Sequence, residues 1–340
     1  MKLAVVLFNL GGPDSLEAVE PFLTNLFSDP AIIKVPNFIR YALARLIAKR
    51  RGQIARNIYA QMGGRSPIVP ETEMQARALE AALAARGVNA KCFIAMRYWN
   101  PLTMEAAKAV KEWAPDQIVL LPLYPQYSTT TTASSRSEWE RCVKALRMDI
   151  RQNAICCYPT EEGFLEAVAE GVREAGAAMK PGLSYRVLFS AHGLPKRIVD
   201  AGDPYQMHVE QTVAGVLKRL KMPDLDWSIC YQSRVGPLEW IGPATDAEVK
   251  RAGADRKGLI VVPVAFVSEH SETKVELDIE YAHLAKQSGV PDYIRVRTVR
   301  SSPKFIQGLT GLTIAAMNAS RSVTCTAGRV CPPDRVCGHG

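Results

Sequence analysis

The residues best suited to chemistry lie in one stretch of the chain, VVPVAFVSEHSETKVELDIEY at positions 261–281. Three glutamates recur in it at a step of four residues: Glu272, Glu276 and Glu280. On an α-helix this spacing places all three on one face and leaves Asp278 on another. Carboxylates in such a row repel one another unless cations or protons lie along it. Because Glu269 and His270 precede the row, the pattern predicts a path for metal ions or protons; the alternative is an ordinary solvated acidic face.

A histidine, His192, ends a second apolar run in the segment FSAHGLP, just before a Gly/Pro loop. The run VVPVAF before the glutamates is also apolar and β-branched, which predicts a buried parallel strand. Open α/β sheets bind their ligands at the carboxyl ends of such strands. If both strand ends face one cleft, His192 lies near the glutamate row. A neutral imidazole opposite carboxylates suits proton removal and transient metal binding, whereas a lone histidine is otherwise usually structural.

Basic, hydroxyl and aromatic residues elsewhere could bind an acidic, flat ligand. Arg51, Tyr59 and Ser66 would hydrogen-bond acidic arms, because arginine binds carboxylates through two parallel hydrogen bonds. The segments RYWNP at 97–101, LYPQYS, and PLEWIGP with Trp240 add aromatic and guanidinium groups. Such side chains form walls for a flat aromatic ligand. Each aromatic taken alone is more often part of a core.

The two halves of the chain repeat one plan, which gives the elements that position these residues. LAVVLFNLGGP resembles YRVLFSAHGLP, and QIVLLPLYPQYS resembles GLIVVPVAFVSEHSE. Helical stretches lie between these runs. Strands that alternate with helices in each half predict an α/β protein with two duplicated, doubly wound, Rossmann-like parallel-sheet domains and an active-site cleft between them.

The repeat also predicts the domain boundaries. The first α/β domain would comprise residues 1–155 and 303–320, the second residues 156–302, and a Cys-rich tail residues 321–340. An insertion at about residues 29–67 is rich in Ile, Leu, Phe and Tyr but also in Arg and Lys. It predicts a helix that lies on an anionic membrane surface or forms a lip over a pocket. A core helix with basic ends that reach solvent is the alternative.

Composition limits the classes of function. The chain has 340 residues, 47% hydrophobic and 22% charged, which suits two globular domains. It lacks an apolar run long enough to span a bilayer, and MKLAVVLFNL is not a signal peptide, so we expect a cytoplasmic protein. The net charge of +8 admits nucleic acid, anionic lipid or a small acidic ligand. Nucleic acid is not expected, because no nucleic-acid motif is present.

Taken together, the motifs resemble the ferrochelatases, the enzymes that insert ferrous iron into protoporphyrin IX at the end of haem synthesis. The matching segments are LFNLGGPDS, AKRRGQIARNIYAQMGGRSPI, RYWNPLT, LYPQYSTTT, SAHGLP, CYQSRVGPLEWIGP and VPVAFVSEHSETKVELDIEY. They follow the order of the family from the first strand to about residue 281. The pair SAHGLP and SEHSET is highly specific.

The resemblance implies an iron-inserting site at His192 and Glu272, with His270 and Glu276 along the same path and Glu280 farther along it. The ring would lie between the imidazole and the glutamates. The residues that match the porphyrin contacts of the family are Asn9, Arg51, Tyr59, Ser66, Arg97, Tyr98, Trp240 and Phe266. The insertion resembles the lip of the family's active site, which faces the membrane from which porphyrin arrives.

Other functions stay open at this point. A chelatase for coproporphyrin, or for cobalt in a related tetrapyrrole, fits the same residues. A carrier of porphyrin or haem, or an iron–sulfur sensor, is the non-enzymatic alternative. The glutamate row with His192 argues against a carrier, which needs no proton path.

Eight cysteines without a secretion signal argue against a disulfide framework. Some ferrochelatases hold a 2Fe-2S cluster with three tail cysteines and one from the body. The resemblance implies such a cluster on Cys325, Cys331 and Cys337, although their spacing is wider than in the animal enzymes. Thr129 stands where those enzymes have the fourth ligand, so Cys156 or Cys157 would replace it.

Neighbours on a strand point to opposite faces, so we expect only one of that pair to bind the cluster. A zinc ion held by cysteines or His339 and a tail without a ligand are the alternatives. The tail is poor in apolar residues and cannot build a core, so something else must order it. Cys92, Cys142 and Cys230 are expected to be small buried apolar residues.

Overall fold

The computed structural model describes most of the chain: residues 1–234, 236–325, 331–332 and 335–336. These residues form two compact units. The first contains residues 1–157 and 309–325, and the second contains residues 158–308 with the described residues from 331 onward.

The strands and helices alternate along the chain. In order, the described strands are β1 (Lys2–Asn9), β2 (Asn89–Met96), β3 (Gln117–Pro122), β4 (Arg151–Cys157), β5 (Tyr185–His192), β6 (Trp227–Gln232), β7 (Gly258–Pro263), β8 (Tyr293–Arg295) and β9 (Val323–Cys325). The helices are α1 (Val19–Phe27), α2 (Asn37–Ala60), α3 (Ile68–Ala84), α4 (Thr103–Trp113), α5 (Thr132–Ala145), α6 (Glu162–Ala177), α7 (Lys196–Asp200), α8 (Tyr205–Leu220), α9 (Thr245–Ala254), α10 (Tyr281–Gln287) and α11 (Pro303–Asn318). A π-helix, Glu272–Glu280, precedes α10.

The first unit is built on a parallel sheet in the order β2-β1-β3-β4-β9. The inner strand β1 is apolar from Leu3 to Phe8 and buried, as expected when helices cover both faces of a sheet. Its Phe8 packs against Trp139 of α5, with ring centroids 6.2 Å apart. This core fixes the carboxyl end of β1, where Asn9 lies.

The second unit is built on a parallel sheet in the order β6-β5-β7-β8. Buried Leu188 of β5 and Val261 of β7 lie in its core with Leu277 of the π-helix. The central strands β5 and β7 end beside each other, and each is followed by a predicted site segment. The predicted two-sheet parallel α/β fold is therefore confirmed.

The predicted insertion contains the long helix α2. Several of its large apolar side chains are exposed: Phe38, Ile39, Tyr41, Leu46 and Ile54. Within the described residues, no helix has both the length and the apolar character needed to cross a bilayer.

The start of the tail is an edge strand of the first sheet. β9 pairs in parallel with β4, and Val323 is buried. Asn153 of β4 fixes the segment that leads from α11 to β9, because its Nδ2 donates to the carbonyl oxygens of Ala319 at 3.1 Å and Arg321 at 2.9 Å. The sheet itself thus orders the first residues of a tail that cannot form a core.

Candidate active site

The structure brings His192 and Glu272 into direct contact. His192 ends β5, and Glu272 begins the π-helix after the neighbouring strand β7. The His192 Nδ1 lies 2.7 Å from Glu272 Oε2, and the side chains are 41% and 29% exposed. The two predicted strand ends therefore meet because they are neighbours in one sheet. The expectation that a ring lies between them is wrong, since a hydrogen bond of this length leaves no space for a macrocycle.

The contact changes the pKa of both groups. Burial disfavours the imidazolium, but the Glu272 carboxylate outweighs it and holds the pKa of His192 above its ordinary value. Burial also disfavours the carboxylate, yet the nearby His192 and His270 lower the pKa of Glu272 to about 2. The pair therefore favours an imidazolium–carboxylate ion pair, whereas the sequence predicted a neutral His192.

The neutral imidazole in this site is His270. Its Nδ1 accepts a hydrogen bond of 3.1 Å from the backbone N–H of Glu272, which places the ring proton on Nε2. Burial lowers the pKa of His270, and the nearby Glu272 and Glu269 oppose this only in part. The ring of Phe266 meets the imidazole edge to face, with centroids 4.6 Å apart.

Four donors surround the carboxylate of Glu276. Ser233 donates its backbone N–H to Oε1 at 2.8 Å and its hydroxyl to Oε2 at 2.5 Å. Gln232 Nε2 donates to Oε2 at 3.0 Å, and the Tyr281 hydroxyl donates to Oε1 at 3.2 Å. Burial and the charge of Glu272 still raise the pKa of Glu276 above its ordinary value. The Glu276 carboxylate is thus fixed by four hydrogen bonds beside the His192–Glu272 pair.

The glutamate row lies on a π-helix, so the prediction that an α-helix carries the three glutamates on one face is wrong. The backbone N–H of Tyr281 donates to the carbonyl of Glu276, five residues earlier, which is the π-helical pattern. The three glutamates also differ in environment, because Glu272 contacts His192, Glu276 is held by donors and Glu280 is exposed. Wider turns of this kind often occur at functional sites.

The other nearby acids belong to a separate ion-pair network. Asp278 points away from the row, as predicted, and accepts from Arg295 Nη2 at 2.8 Å. Glu269 was predicted at the mouth of the row, but it is buried and accepts from Arg295 Nη1 at 2.7 Å and from Thr298. It therefore balances a buried guanidinium and does not line the path.

Within the first unit, two of the predicted porphyrin contacts are tied to Asp29. Tyr98 has no exposed surface, and its hydroxyl donates to Asp29 at 2.7 Å. Arg97 is 16% exposed and pairs with Asp29 at 2.8 Å, while its Nε donates to Ser134. Tyr98 thus lies in the core with Phe22 of α1.

The remaining predicted contacts differ in exposure. Asn9 is buried and donates to Thr72 Oγ1 at 3.1 Å; Tyr59 and Ser66 are also buried, whereas Arg51 is exposed on α2. In the second unit Phe266 and Trp240 are half-buried. The indole N–H of Trp240 is buried without an acceptor among the described residues, which is unusual for tryptophan.

Sequence reasoning missed the residues that hold the carboxylates. Gln232 and Ser233 lie in the segment CYQS at the end of β6, and Tyr281 follows the glutamate row by one residue. A polar pair at the carboxyl end of a parallel strand was a usable signal. The role of Tyr281 depends on the π-helical turn and could not be read from spacing.

Three cysteines meet at the edge of the first sheet. The Sγ atoms of Cys157 and Cys325 are 3.5 Å apart, and Cys156 Sγ lies within 4.8 Å of both. The expectation that Cys156 and Cys157 point to opposite faces is wrong here, because the β4–β9 register shifts between Ile155 and Cys157. Three thiols in one place fit part of the four-thiolate set that an iron–sulfur cluster needs.

The other described cysteines are Cys331, Cys142, Cys230 and Cys92. Cys331 is buried in the second unit, with its Sγ 3.3 Å from His208 Nε2, and Cys337 and His339 lie outside the described residues. Cys142 and Cys230 are buried, as expected, and Cys92 is half-buried. Burial raises the pKa of Cys230 to about 12, which makes it an inert thiol.

Comparisons with known proteins identify related chains. The family model described as Ferrochelatase matches residues 2–317. The ferrochelatase of Caulobacter vibrioides (strain NA1000 / CB15N) is 58% identical over 310 residues, which are 91% of this chain and 88% of that protein. The ferrochelatase of Phenylobacterium zucineum is 57% identical over 323 residues, covering 94% and 93% of the two chains.

A solved structure supports the fold. SirB from Bacillus subtilis with Fe3+ superposes with a TM-score of 0.51, covering 93% of this chain and 96% of that one. At 13% identity the likeness concerns the fold alone. The family match and the two relatives go further: this chain belongs to the ferrochelatase family.

Proposed function

We propose that this chain inserts ferrous iron into protoporphyrin IX to form haem, with His192 and Glu272 at the metal site. The observation that carries the proposal is the His192–Glu272 contact at the carboxyl ends of β5 and β7. In the reaction the ferrous ion replaces the two pyrrole N–H protons of the ring, so two protons must leave. Iron is a substrate of this reaction.

The chemistry of the site suits both tasks. Carboxylate oxygens bind ferrous iron weakly enough to release it to the ring nitrogens. Glu272, with its low pKa, is charged and serves as this ligand. His192 passes the two pyrrole protons to solvent one at a time: the half-exposed imidazolium releases its proton to water, accepts one from a pyrrole nitrogen, releases it, and repeats this for the second. Both groups act from the same side of the ring.

In this proposal, seven of the predicted residues bind the porphyrin. Arg51 is exposed and binds a propionate, since a guanidinium matches a carboxylate. Phe266 and Trp240 supply apolar surface, and the unpaired indole N–H of Trp240 supports a polar ligand contact there. Asn9, Tyr59, Ser66 and Arg97 complete this set of substrate-binding residues.

An insertion assay tests the function. Purified protein is mixed anaerobically with ferrous iron and protoporphyrin IX, and loss of porphyrin fluorescence follows haem formation. Parallel reactions with coproporphyrin, and with cobalt in place of iron, test the rival chelatase functions. Porphyrin that binds without losing its fluorescence would indicate a carrier.

We also propose that a 2Fe-2S cluster binds Cys157, Cys325, Cys331 and Cys337. The 3.5 Å separation of Cys157 and Cys325 supports this set, because both sulfurs can reach one cluster. When bound, the cluster would hold the tail by iron–sulfur bonds. A red-brown visible spectrum of anaerobically purified protein, lost in Cys325→Ser, tests it. Zinc with no colour would contradict the proposal.

The exposed apolar residues of α2 support a peripheral contact with an anionic membrane. Phe38 and Leu46 are 77% and 46% exposed, and α2 also carries exposed basic residues such as Arg45, Lys49 and Arg50. An amphipathic helix with basic residues binds such surfaces.

Flotation with phosphatidylglycerol-containing vesicles tests the contact. Phe38, Ile39 and Leu46 changed together to serine should reduce binding, because they are more exposed than Leu43 and Ile47. Serine at Met179 and Met222, exposed residues of the second unit, is the matched control. Equal flotation of both variants would end the idea.

A further inference from the structure

The proposed metal site depends on the residues that hold its acids, and Gln232 connects both sides of it. Its side chain is fully buried at the end of β6, in register with His192. Its Oε1 accepts from the Ser190 hydroxyl at 2.8 Å, two residues before His192. Its Nε2 donates to the Glu272 carbonyl at 3.1 Å and to Glu276 Oε2 at 3.0 Å. Gln232 therefore fixes the distance between β5 and the π-helix.

Ser233 holds the same carboxylate more tightly. Its φ of +61° is in the left-handed region, which residues other than glycine seldom adopt. In this conformation the backbone N–H and the hydroxyl point to the same group, one to each oxygen of Glu276, at 2.8 and 2.5 Å. Such unfavourable backbone angles persist where the surrounding structure imposes them, often at functional sites.

The hold matters because Glu276 lies close to another acid. Gln232 Nε2 contacts both the Glu272 carbonyl and Glu276 Oε2, so the two acids are neighbours and their negative charges repel each other. Without donors, the Glu276 side chain would turn away from Glu272 toward solvent. With them, the Glu276 carboxylate stays beside Glu272, where one divalent ion can bind oxygens of both.

We propose that Ser233 is a positioning residue that keeps Glu276 beside the His192–Glu272 pair, so that the arriving ferrous ion meets two carboxylates. This inference rests on the proposed metal site. Ser233 touches neither the ring nor the iron; it acts through Glu276. Its hydroxyl therefore affects the capture of iron more than the rate of insertion once iron is bound.

The test is steady-state insertion by Ser233→Ala with iron and porphyrin varied separately. Loss of one hydrogen bond to a charged group predicts a rise of about tenfold in the KM for ferrous iron. The kcat and the KM for porphyrin should stay near the wild-type values. Ser228→Ala is the matched control, because this β6 hydroxyl donates to the Ile229 carbonyl and, among the described residues, does not contact Glu272 or Glu276. An unchanged KM for iron, or a fall in kcat alone, would overturn the proposal.

Two further measurements separate this inference from the proposed function. Calorimetry with Co²⁺ and no porphyrin should show weaker binding to Ser233→Ala than to wild type, and equal affinities would overturn the positioning role. In a Glu276→Gln background, Ser233→Ala should cause no further loss of metal affinity. If Ser233→Ala is unstable in a melting assay, Ser233→Gly suits the left-handed backbone and also lacks the hydroxyl. Failure of the wild type to insert iron would instead reject the proposed function.

Discussion

At the residue scale, the site has two histidines in different protonation states. His192 is held toward the charged form by Glu272, whereas burial keeps His270 neutral. The two roles follow from environment, since one imidazole faces a carboxylate oxygen and the other accepts from a backbone N–H. A site that must release protons and bind a cation uses both kinds of group.

Replacement of His192 by alanine should stop iron insertion while the fold remains. The side chain is 41% exposed, so its loss leaves no large cavity. Loss of a general base typically lowers a rate by about 10²- to 10⁴-fold. Porphyrin fluorescence measures the rate, and thermal melting checks the fold. His283→Ala, at an exposed position of α10, should behave as wild type. Wild-type insertion by His192→Ala would remove this residue from the mechanism.

At the element scale, ion pairs join the starts of the strands that carry the site. Arg186 of β5 pairs with Asp226, just before β6, at 2.9 Å and with Asp255 at 2.9 Å. Lys257, just before β7, also pairs with Asp226. Three neighbouring strands are therefore tied together at the end opposite His192.

Asp226→Asn should destabilise the protein in a pH-dependent way. Burial disfavours the charged carboxylate, but Arg186 and Lys257 outweigh it and lower the pKa of Asp226. Since the folded pKa is below the unfolded value of about 3.9, the stabilisation is fully present above that pH and is lost as pH falls through the folded pKa. At pH 7 we expect a loss of about 1.5–3 kcal/mol.

Urea unfolding of wild type and Asp226→Asn at neutral and acidic pH measures this effect. The difference between their midpoints should shrink as the pH falls below the unfolded pKa of about 3.9 and through the lower folded pKa, where the wild-type carboxylate takes up a proton. Asp224→Asn, at an exposed position two residues earlier, is the control and should change the midpoint little. A difference that is independent of pH would contradict the role of the Asp226 charge.

The strands could be predicted from sequence better than the site geometry. Continuous β-branched runs such as LIVVP are typical of a parallel strand whose sheet has helices packed on both faces. The ends of two such neighbouring strands bring His192 near Glu272. The glutamate spacing predicted an α-helix, because a π-helix depends on hydrogen bonds set by its surroundings. Similarly, Tyr98 could have been pocket or core, and only its contact with Asp29 decides. The Cys156–Cys157 register depends on a bulge that no local pattern marks.

At the scale of the whole molecule, the first unit is discontinuous in sequence. Residues 1–157 depend on residues 309–325 to complete their unit. β9 pairs with β4, which would otherwise be an edge strand, and the end of α11 accepts hydrogen bonds from side chains of β3 and β4. Gln117 Nε2 donates to the Met317 carbonyl at 2.9 Å, and Asn153 donates to Ala319 and Arg321. These buried amides satisfy the carbonyls at the end of a helix.

Asn153→Ala should therefore loosen the returning segment. It removes the Asn153 donor from the Arg321 carbonyl and one of two side-chain donors from the Ala319 carbonyl, which keeps Arg151 Nη2 at 2.9 Å; the loss should cost about 1–3 kcal/mol. Hydrogen exchange of the backbone at residues 312–325 should become faster, and the melting temperature should fall. Asn89→Ala, at an exposed position of β2, is the control. Unchanged exchange in this segment would show that Asn153 does not secure it.

Because the first unit is discontinuous in sequence, the two sheets are completed in a fixed order during synthesis. A ribosome releases residues 158–308 before the segment that completes the first sheet. The second unit, with His192 and Glu272, can assemble its sheet as it emerges, since β5 to β8 all lie within residues 158–308 and domains fold as units during translation. The first unit still lacks β9 at that stage, so the edge of its sheet at β4 is unpaired. A nascent chain interrupted near residue 308 therefore has the His192–Glu272 pair in place but a first unit whose sheet is incomplete.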